Sequence, residues 1–308
     1  IPLSLSEVAI GRQLMAIRSK KGNSAFLYQK LLTKLDFFKA LAMGNMIPGI
    51  SRKDILNTKI AYPCENNEAI KIADFLSSVD KKINQLKEKQ KLLQQYKKGV
   101  MQQLFSQEIR FKDDGNDFPE WQEKPLGKIA DKVNEKNRDE TIKNVLTNSA
   151  KKGIVNQKDY FNKDIANENN LGGYYVVEKD DFVYNPRISE LAPVGPIKRN
   201  NLGQGVMSPL YNVFRFKERQ YLEFLEMFFS TTYWHRYMYG IANYGARHDR
   251  MNISMSDFFK LPVLLPSENE MKKIVAFVKA LDKKVSAIAL QLEQTQTFKK
   301  GLLQKMFV

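Results

Sequence analysis

The sequence predicts an α/β chain assembled twice over. Mixed domains of short twisted strands are each followed by one long helix, and the two helices pair as a coiled coil. Three observations carry that expectation. YKKGVMQQLF (96–105) returns as FKKGLLQKMF (298–307), 202 positions later. Behind both endings lies a long proline-free segment whose apolar positions step by four and three. Between the two segments, short β-like runs are broken often by proline and glycine.

An internal repeat dictates architecture before any local signal does. Extended backwards, ISRKDILNTKIAYPCENNEAIKIADFLSSVDKKI (50–83) aligns with ISMSDFFKLPVLLPSENEMKKIVAFVKALDKKV (253–285), with one residue dropped near Cys64. Asp54 meets Asp257, Pro63 meets Pro266, Glu68 meets Glu270, Phe75 meets Phe277 and Asp80 meets Asp282. In each copy a short stretch ending in proline reads as a strand running into a turn. CENNE or SENE then places acids at the positive end of a helix dipole.

The helices follow. The first seam runs Ile72, Leu76, Val79, Ile83, Leu86, Gln90, Leu93, Lys97, Val100 and Leu104. The second runs Ile274, Val278, Leu281, Val285, Ile288, Leu292, Thr295, Lys299, Leu302 and Met306. A seam alternating four and three is a coiled-coil pattern, and two such helices in one chain can bury each other's stripes. At 1.5 Å per residue, each would run roughly 60 Å. The polar exceptions, Gln90 with Thr295 and Lys97 with Lys299, either fix the register or are lapses near a helix end. Gly99 and Gly301 sit inside the helices, where each costs about 1 kcal/mol against alanine. A small residue there would admit another chain or helix.

Between the helices, QEIRFKDDGNDF (107–118) is polar, contains Gly115 and reads as a linker. FPEWQEKPLGKIADKV (118–133) opens a domain with β-like YYVV (174–177), DFVY (181–184) and YNVFRF (211–216), and a helix near 221–238. The same layout stands shortened before the first helix. AIGRQLMAIRSKKG (9–22) resembles 205–219, a strand and a basic turn. SAFLYQKLLTKLDFFKAL (24–41) resembles the 221–238 helix, and GNMIPGIS (44–51) parallels GARHDRMNIS (245–254). The expected organisation is therefore the closing part of a first domain over 1–65, with its front part missing, and a long helix over 66–110. A complete second domain over 111–265 and a second long helix over 266–308 follow.

Charge narrows the function. Forty-nine Lys and Arg against 34 Asp and Glu leave +15 on 308 residues, which points to a polyanion partner. One cysteine, Cys64, allows no disulfide within the chain and fits a reducing cytoplasm. One Cys and two His argue against a protein-built zinc site. No apolar run reaches membrane-spanning length, and the start does not read as a signal peptide. No G-x-x-x-x-G-K-[ST] motif offers an ATP site. Asn185-Pro186 after an apolar run resembles the Asn/Asp-Pro-Pro-aromatic loop of adenine methyltransferases. Arg187 takes the place of the second proline, however, and no glycine-rich cofactor loop precedes it. It reads as a strand-ending turn. His235 and His248 have no nucleophile or carboxylate at informative spacing. No catalytic and no metal-binding residue is expected.

The repeated layout comes with specific strings: TNSAKKGIVNQKDYF (147–161), GYYVVEKDDFVYNPRISELAPVGPIKRN (173–200), GVMSPLYNVF (205–214), GARHDR (245–250), FPEW with LGKIA, and the two KKG helix ends. Together they resemble the specificity (S) subunit of Type I restriction–modification systems, over essentially the whole chain. The resemblance implies two target-recognition domains, each followed by a long helix, with the helices antiparallel. It implies a non-catalytic reader of double-stranded DNA whose target is split into two half-sites. The helix pair would set the spacer and dock methyltransferase (M) subunits, and translocase-nuclease (R) subunits would join the full complex. S-adenosylmethionine, ATP and Mg would belong to those partners, with no cofactor in this chain. The departure is the missing front of the first domain, which bears on one half-site.

Basic and amide residues in turns are the candidates for DNA contact, since they reach phosphates and base edges. Arg247, His248 and Arg250 lead. Asn185 and Arg187 follow, then Lys198, Arg199 and Asn200, then Asn148, Ser149, Lys151 and Lys152. In the shortened unit they are Arg12, Arg18, Lys20, Lys21 and Asn45. Two other readings compete: a coiled-coil scaffold with only nonspecific DNA binding, and a divergent DNA methyltransferase.

Overall fold

A computed structural model describes residues 7–11, 14–20, 23–43, 49–160, 171–243 and 249–307. The chain forms two compact units, one of Ile1–Gln95 with Asp282–Val308, the other of Tyr96–Leu281. The helices are α1 (Ser24–Leu32), α2 (Leu35–Met43), α3 (Arg52–Leu56), α4 (Asn66–Phe105), α5 (Leu126–Ile129), α6 (Gln157–Tyr160), α7 (Leu222–Phe228), α8 (His235–Ile241), α9 (Met255–Phe258) and α10 (Glu268–Met306).

In the first unit, capping side chains set where helices begin. Asn23 accepts from the Phe26 N–H at 2.8 Å and starts α1. Ser51 and Asp54 form a reciprocal capping box on α3. The repeat writes the same cap at α9, where Ser254 accepts from the Asp257 N–H at 3.1 Å. Hydrogen bonds from Ser51 and Ser254 hold the Asp54 and Asp257 carboxyls below the usual carboxylate range. The helix expected over 24–41 is two helices. Thr33 donates its hydroxyl to the Lys30 carbonyl at 2.7 Å, and the chain turns there before α2.

The two long helices pair as expected. Every seam position on both is buried or half-buried. Lys299 reaches Asp80, and Phe307 packs beside Ile72, Ala69 and Ala73. Eight residues forward on one helix are thus eight residues back on the other, which makes the pair antiparallel. Lys299 is buried, with Nζ 2.6 and 2.8 Å from the two Asp80 oxygens. Of the two readings of the polar seam positions, its geometry serves the register. Thr295 instead donates to the Gln291 carbonyl of its own helix at 2.7 Å. At the end of the pair Phe26 meets Phe307 and Tyr62 edge-on, with ring centroids 5.3 and 4.8 Å away.

The first copy departs from the second at TKIAYP (58–63), which forms no strand. Its counterpart Pro262–Leu265 is a strand because Gln122–Pro125, just after FPEW, pairs with it. The first unit offers no such partner among the described residues, and an isolated extended segment does not persist in water. The strand expected within 9–22 is likewise not formed at the described residues there.

The second unit holds β1 (Lys112–Asp113), β2 (Asn116–Asp117), β3 (Gln122–Pro125), β4 (Ala130–Lys132), β5 (Leu146–Ser149), β6 (Gly153–Asn156), β7 (Tyr175–Val177), β8 (Phe182–Tyr184), β9 (Ile197–Arg199), β10 (Gly205–Met207), β11 (Asn212–Phe216) and β12 (Pro262–Leu265). The central sheet runs β4-β11-β8-β9, antiparallel throughout. Strand period two gives it two buried faces. Phe182, Tyr184, Phe214 and Phe216 join one core with Phe224, Phe228, Trp234 and Phe258. Val183 and Val213 join the other, with Val133, Leu146, Ile154, Val177 and Met207. The first core also takes in Val100, Met101, Leu104 and Phe105 from the end of α4, and Met271, Ile274 and Val278 from the start of α10. The helix expected near 221–238 is broken between α7 and α8, where Thr231 caps the Phe228 carbonyl at 2.7 Å.

Residues 107–118 are not a loose linker. β1 and β2 form a hairpin whose turn residues, Asp114 and Gly115, have φ of 47° and 92°. Two left-handed residues in a two-residue turn match the right-handed twist of the strands. Arg110 ties this segment down. Its guanidinium donates to the fully buried Glu270 at 3.1 and 2.9 Å and to the Phe118 and Pro119 carbonyls at 3.1 and 2.6 Å.

Candidate nucleic-acid interface

The turn after β8 begins the site. Asn185 accepts from the Arg187 N–H at 3.0 Å, an Asx turn that lifts the arginine out of the strand. The Asn185 amide donates to the Asn148 carbonyl at 2.9 Å, joining the turn to the β5–β6 hairpin. Gly195 backs the turn at φ 78°, where a Cβ would stand 2.1 Å from the Asn185 carbonyl oxygen. Only glycine fits that approach.

A second basic turn lies against the first. Ile188 N–H donates to the Asp249 carbonyl and Met251 N–H to the Pro186 carbonyl, both at 3.0 Å. Arg187 and Arg250 thereby face each other as an antiparallel bridge. Asp249 sits between them, 3.5 Å from the Arg187 guanidinium and 3.8 Å from Arg250 Nε. The Arg187 side chain remains 62% exposed and that of Arg250 28%. One carboxylate shared by two guanidiniums leaves a net positive patch with donors free for phosphate or a guanine edge.

The β5–β6 hairpin contributes its tip. Ser149 accepts from the Lys151 and Lys152 N–H groups at 3.3 and 3.2 Å and donates to the Tyr160 hydroxyl at 3.1 Å. Lys151 and Lys152 are exposed, and Lys152 lies 5.5 Å over the Tyr160 ring. Arg18 and Lys20 of the first unit are also exposed.

Other candidates are committed to the interior. Asn148 is buried, and its amide donates to the Val183 and Pro196 carbonyls at 2.8 and 3.1 Å. Asn200 has no exposed surface. It donates to the Glu178 and Gly203 carbonyls, both at 2.8 Å, and accepts from the Leu202 N–H. The Asn148 amide nitrogen ties β5 to β8 and its oxygen is buried with no partner among the described residues, while the Asn200 amide closes a backbone turn, so neither side chain is exposed in this conformation. Arg199 is held by Asp180 and Glu226. Burial acts to raise the Asp180 carboxyl, but Arg199 and Arg219 together hold it below the usual range. Lys198 is half-buried, and that burial pushes its amine below the ordinary lysine value against the pull of Glu226. Arg12, Lys21, Asn45, Arg247 and His248 lie outside the described residues.

Sequence reasoning missed Gly195, Asp249 and Tyr160. Asp249 carried a signal, as the lone acid in a run of basic residues. Gly195 and Tyr160 act through contacts with residues many positions away, which no local pattern encodes. Among the described residues no cluster of His, Cys, Asp or Glu could hold a metal ion, and no helix is long and apolar enough to cross a membrane.

Comparison with known proteins bears on the whole arrangement. Residues 5–94 match the family model for the Type I restriction modification DNA specificity domain. No curated protein matches the chain. Among solved structures, a chain from the work on complex assembly and conformational transition of the type I R-M system is 18% identical. The match covers 92% of this chain and 70% of that one at a TM-score of 0.53. The S subunit of a Type-I restriction-modification system from M. genitalium is 17% identical, with 92% and 72% covered and a TM-score of 0.52. The resemblance in sequence to that DNA specificity domain spans residues 5–94, and the chain as a whole has the fold of the specificity subunits of Type I restriction–modification systems.

Proposed function

We propose that this chain is the non-catalytic DNA-reading subunit of a Type I restriction–modification complex. The match of residues 5–94 to a DNA specificity domain carries the reading. The paired basic turns at Arg187 and Arg250 supply the chemistry in the second unit. Each recognition domain reads one half of a bipartite target on double-stranded DNA, and the helix pair sets the spacer. Phosphate contacts from exposed lysines and arginines position the protein, and donors from the Asn185–Arg187 turn reach base edges.

Methyltransferase subunits dock on the long helices, and translocase-nuclease subunits complete the assembly. S-adenosylmethionine, ATP and Mg act in those partners. Gly99 and Gly301 support the docking. A Cβ at either meets nothing within 4 Å, so each is an open notch in its helix. Tyr96 and Phe298, the repeat-related aromatics three residues before them, are 55% and 56% exposed. Two equivalent notches suit two copies of one partner. The cytoplasm is where such a complex meets DNA.

Footprinting with the methyltransferase partner tests the reading. A split protected sequence is expected, with relaxed choice at one half-site in Arg187→Ala and in Arg247→Ala. Sequence-blind protection would leave only the scaffold reading. Binding of S-adenosylmethionine by the chain alone would reopen the methyltransferase reading.

A further inference from the structure

We infer that Asp249 is a specificity-determining residue, which together with Arg187 reads one G·C base pair from the major groove. The inference rests on the DNA-reader reading above and names what that site takes. Among the described residues the Arg187 guanidinium has one partner, the Asp249 carboxylate, whose Oδ2 lies 3.5 Å from Nη2. Arg250 Nε approaches the same oxygen at 3.8 Å. The second oxygen, Oδ1, meets no donor among the described residues, and the Asp249 side chain is 53% exposed. An open cation and an open acceptor therefore stand side by side. Backbone bonds hold them there: the Asp249 carbonyl accepts from the Ile188 N–H and the Pro186 carbonyl from the Met251 N–H, both at 3.0 Å.

Charge decides what such a surface fits. A phosphate would meet the guanidiniums but also the Asp249 anion, so part of the attraction is cancelled. A base edge is neutral and carries donors as well as acceptors. Seen from the major groove, guanine offers two acceptors, N7 and O6, and its cytosine offers a donor, the N4 amino group. O6 and N4 are hydrogen-bonded to each other and so lie about 3 Å apart. The Arg187 guanidinium and the Asp249 carboxylate lie 3.5 Å apart at their nearest, a matching span. Arg187 donates to N7 and O6, and Asp249 Oδ1 accepts from N4. An A·T pair fits less well. Adenine and thymine each present a single acceptor there, so neither engages two donors of the guanidinium fork. The Asn185 turn and Gly195 fix the backbone that aims Arg187, and Arg250 holds the carboxylate from its other side.

The test uses the chain assembled with its methyltransferase partner and a pool of duplexes randomised across the half-site that the second unit reads. The wild-type complex is expected to select a G·C pair at one position or more. Asp249→Ala is expected to fold, because the bonds that hold the turn use the Asp249 backbone; an unchanged melting temperature checks this. Its preference for G·C at one of those positions is expected to fall about tenfold, within the range that one base pair contributes. Its affinity for unrelated duplex is expected to hold or rise, since an anion has left a surface that meets phosphates. Arg187→Lys keeps the charge and loses the fork, and is expected to relax the same position. A selected half-site without G·C, unchanged choice at every position in Asp249→Ala, or two variants that relax different positions overturns the pairing. A fall in specific and unrelated binding together overturns it as well, because a residue that only holds the turn would give that result. A wild-type complex that selects no sequence would overturn the reader itself, a separate result.

Discussion

Replacing Glu270 with alanine tests how the second unit holds its entry segment. The Glu270 carboxylate is fully buried and receives three side-chain donors: Arg110 Nε at 3.1 Å, Arg110 Nη2 at 2.9 Å and Trp121 Nε1 at 3.0 Å. That contact holds the Arg110 guanidinium above its ordinary value. The alanine variant leaves a buried indole N–H without its acceptor and takes from a largely buried guanidinium its buried counter-charge, leaving it the Phe118 and Pro119 carbonyls and the exposed Glu120. Breaking a buried ion pair from one side costs about 3–5 kcal/mol. For a unit of this size each kcal/mol lowers the melting temperature by roughly 2–4 °C, so a loss on the order of 10 °C is expected. Calorimetry measures it, and Trp121 fluorescence reports whether the segment around FPEW has come loose. Arg110→Ala should cost a similar amount. The double variant should cost clearly less than the two singles together, because it leaves no buried charge unmatched. A shift under about 2 °C for Glu270→Ala, or strict additivity in the double variant, would refute the reasoning.

Further outcomes follow from the site. Gly195→Ala places a methyl against the Asn185 carbonyl, so it should lower the melting temperature and weaken DNA binding together, both read on the same preparation. Arg187→Ala should reduce the slope of log affinity against log salt by about one if the guanidinium meets a phosphate; an unchanged slope with altered sequence choice assigns it to a base edge instead. Lys198 has a folded value below its unfolded one, so its charge lowers stability at neutral pH. That loss shrinks as pH rises through the folded value toward 10.5. Lys198→Met should therefore raise the melting temperature at pH 7, by a margin that narrows at high pH, while weakening binding to DNA. His235 is held below its usual value by burial. Its contribution to stability is present above about 6.5 and lost as pH falls through the folded value, which acid melts of wild type and His235→Phe would compare.

The repeat, the seam and the strands β7, β8, β10, β11 and β12 were legible because each rests on periodicity or on the repeat, and these survive in a single sequence. What Lys299 does was not. Its partner Asp80 lies on the other helix, and the sequence showed only a lysine in an apolar row. The candidate DNA contacts divided for the same reason. Asn148, Asn185 and Asn200 are alike in composition and turn context. The pleat and the neighbouring carbonyls turn Asn148 and Asn200 inward, and only the Asn185 turn carries an exposed arginine. Lys198, Arg199 and Asn200 looked like one basic cluster, yet acids from α7 and the β7–β8 turn claim the arginine. The polar run 107–118 read as a linker because the carboxylate that anchors it stands 160 residues away from Arg110.

The ends of the long helices inside the core of the second unit bear on how that unit could be exchanged between relatives. Val100, Met101, Leu104 and Phe105 of α4 and Met271, Ile274 and Val278 of α10 pack among the aromatics of the second unit. A graft cut at the helix boundaries, near 106 and 267, would strip that core of one wall and leave Phe224 and Phe228 facing water. A graft cut within the helices, near 96 and 281, would carry the wall along with the domain. Exchange of specificity between relatives is therefore expected to succeed at crossover points buried in uninterrupted helix, where sequence alone shows no boundary at all.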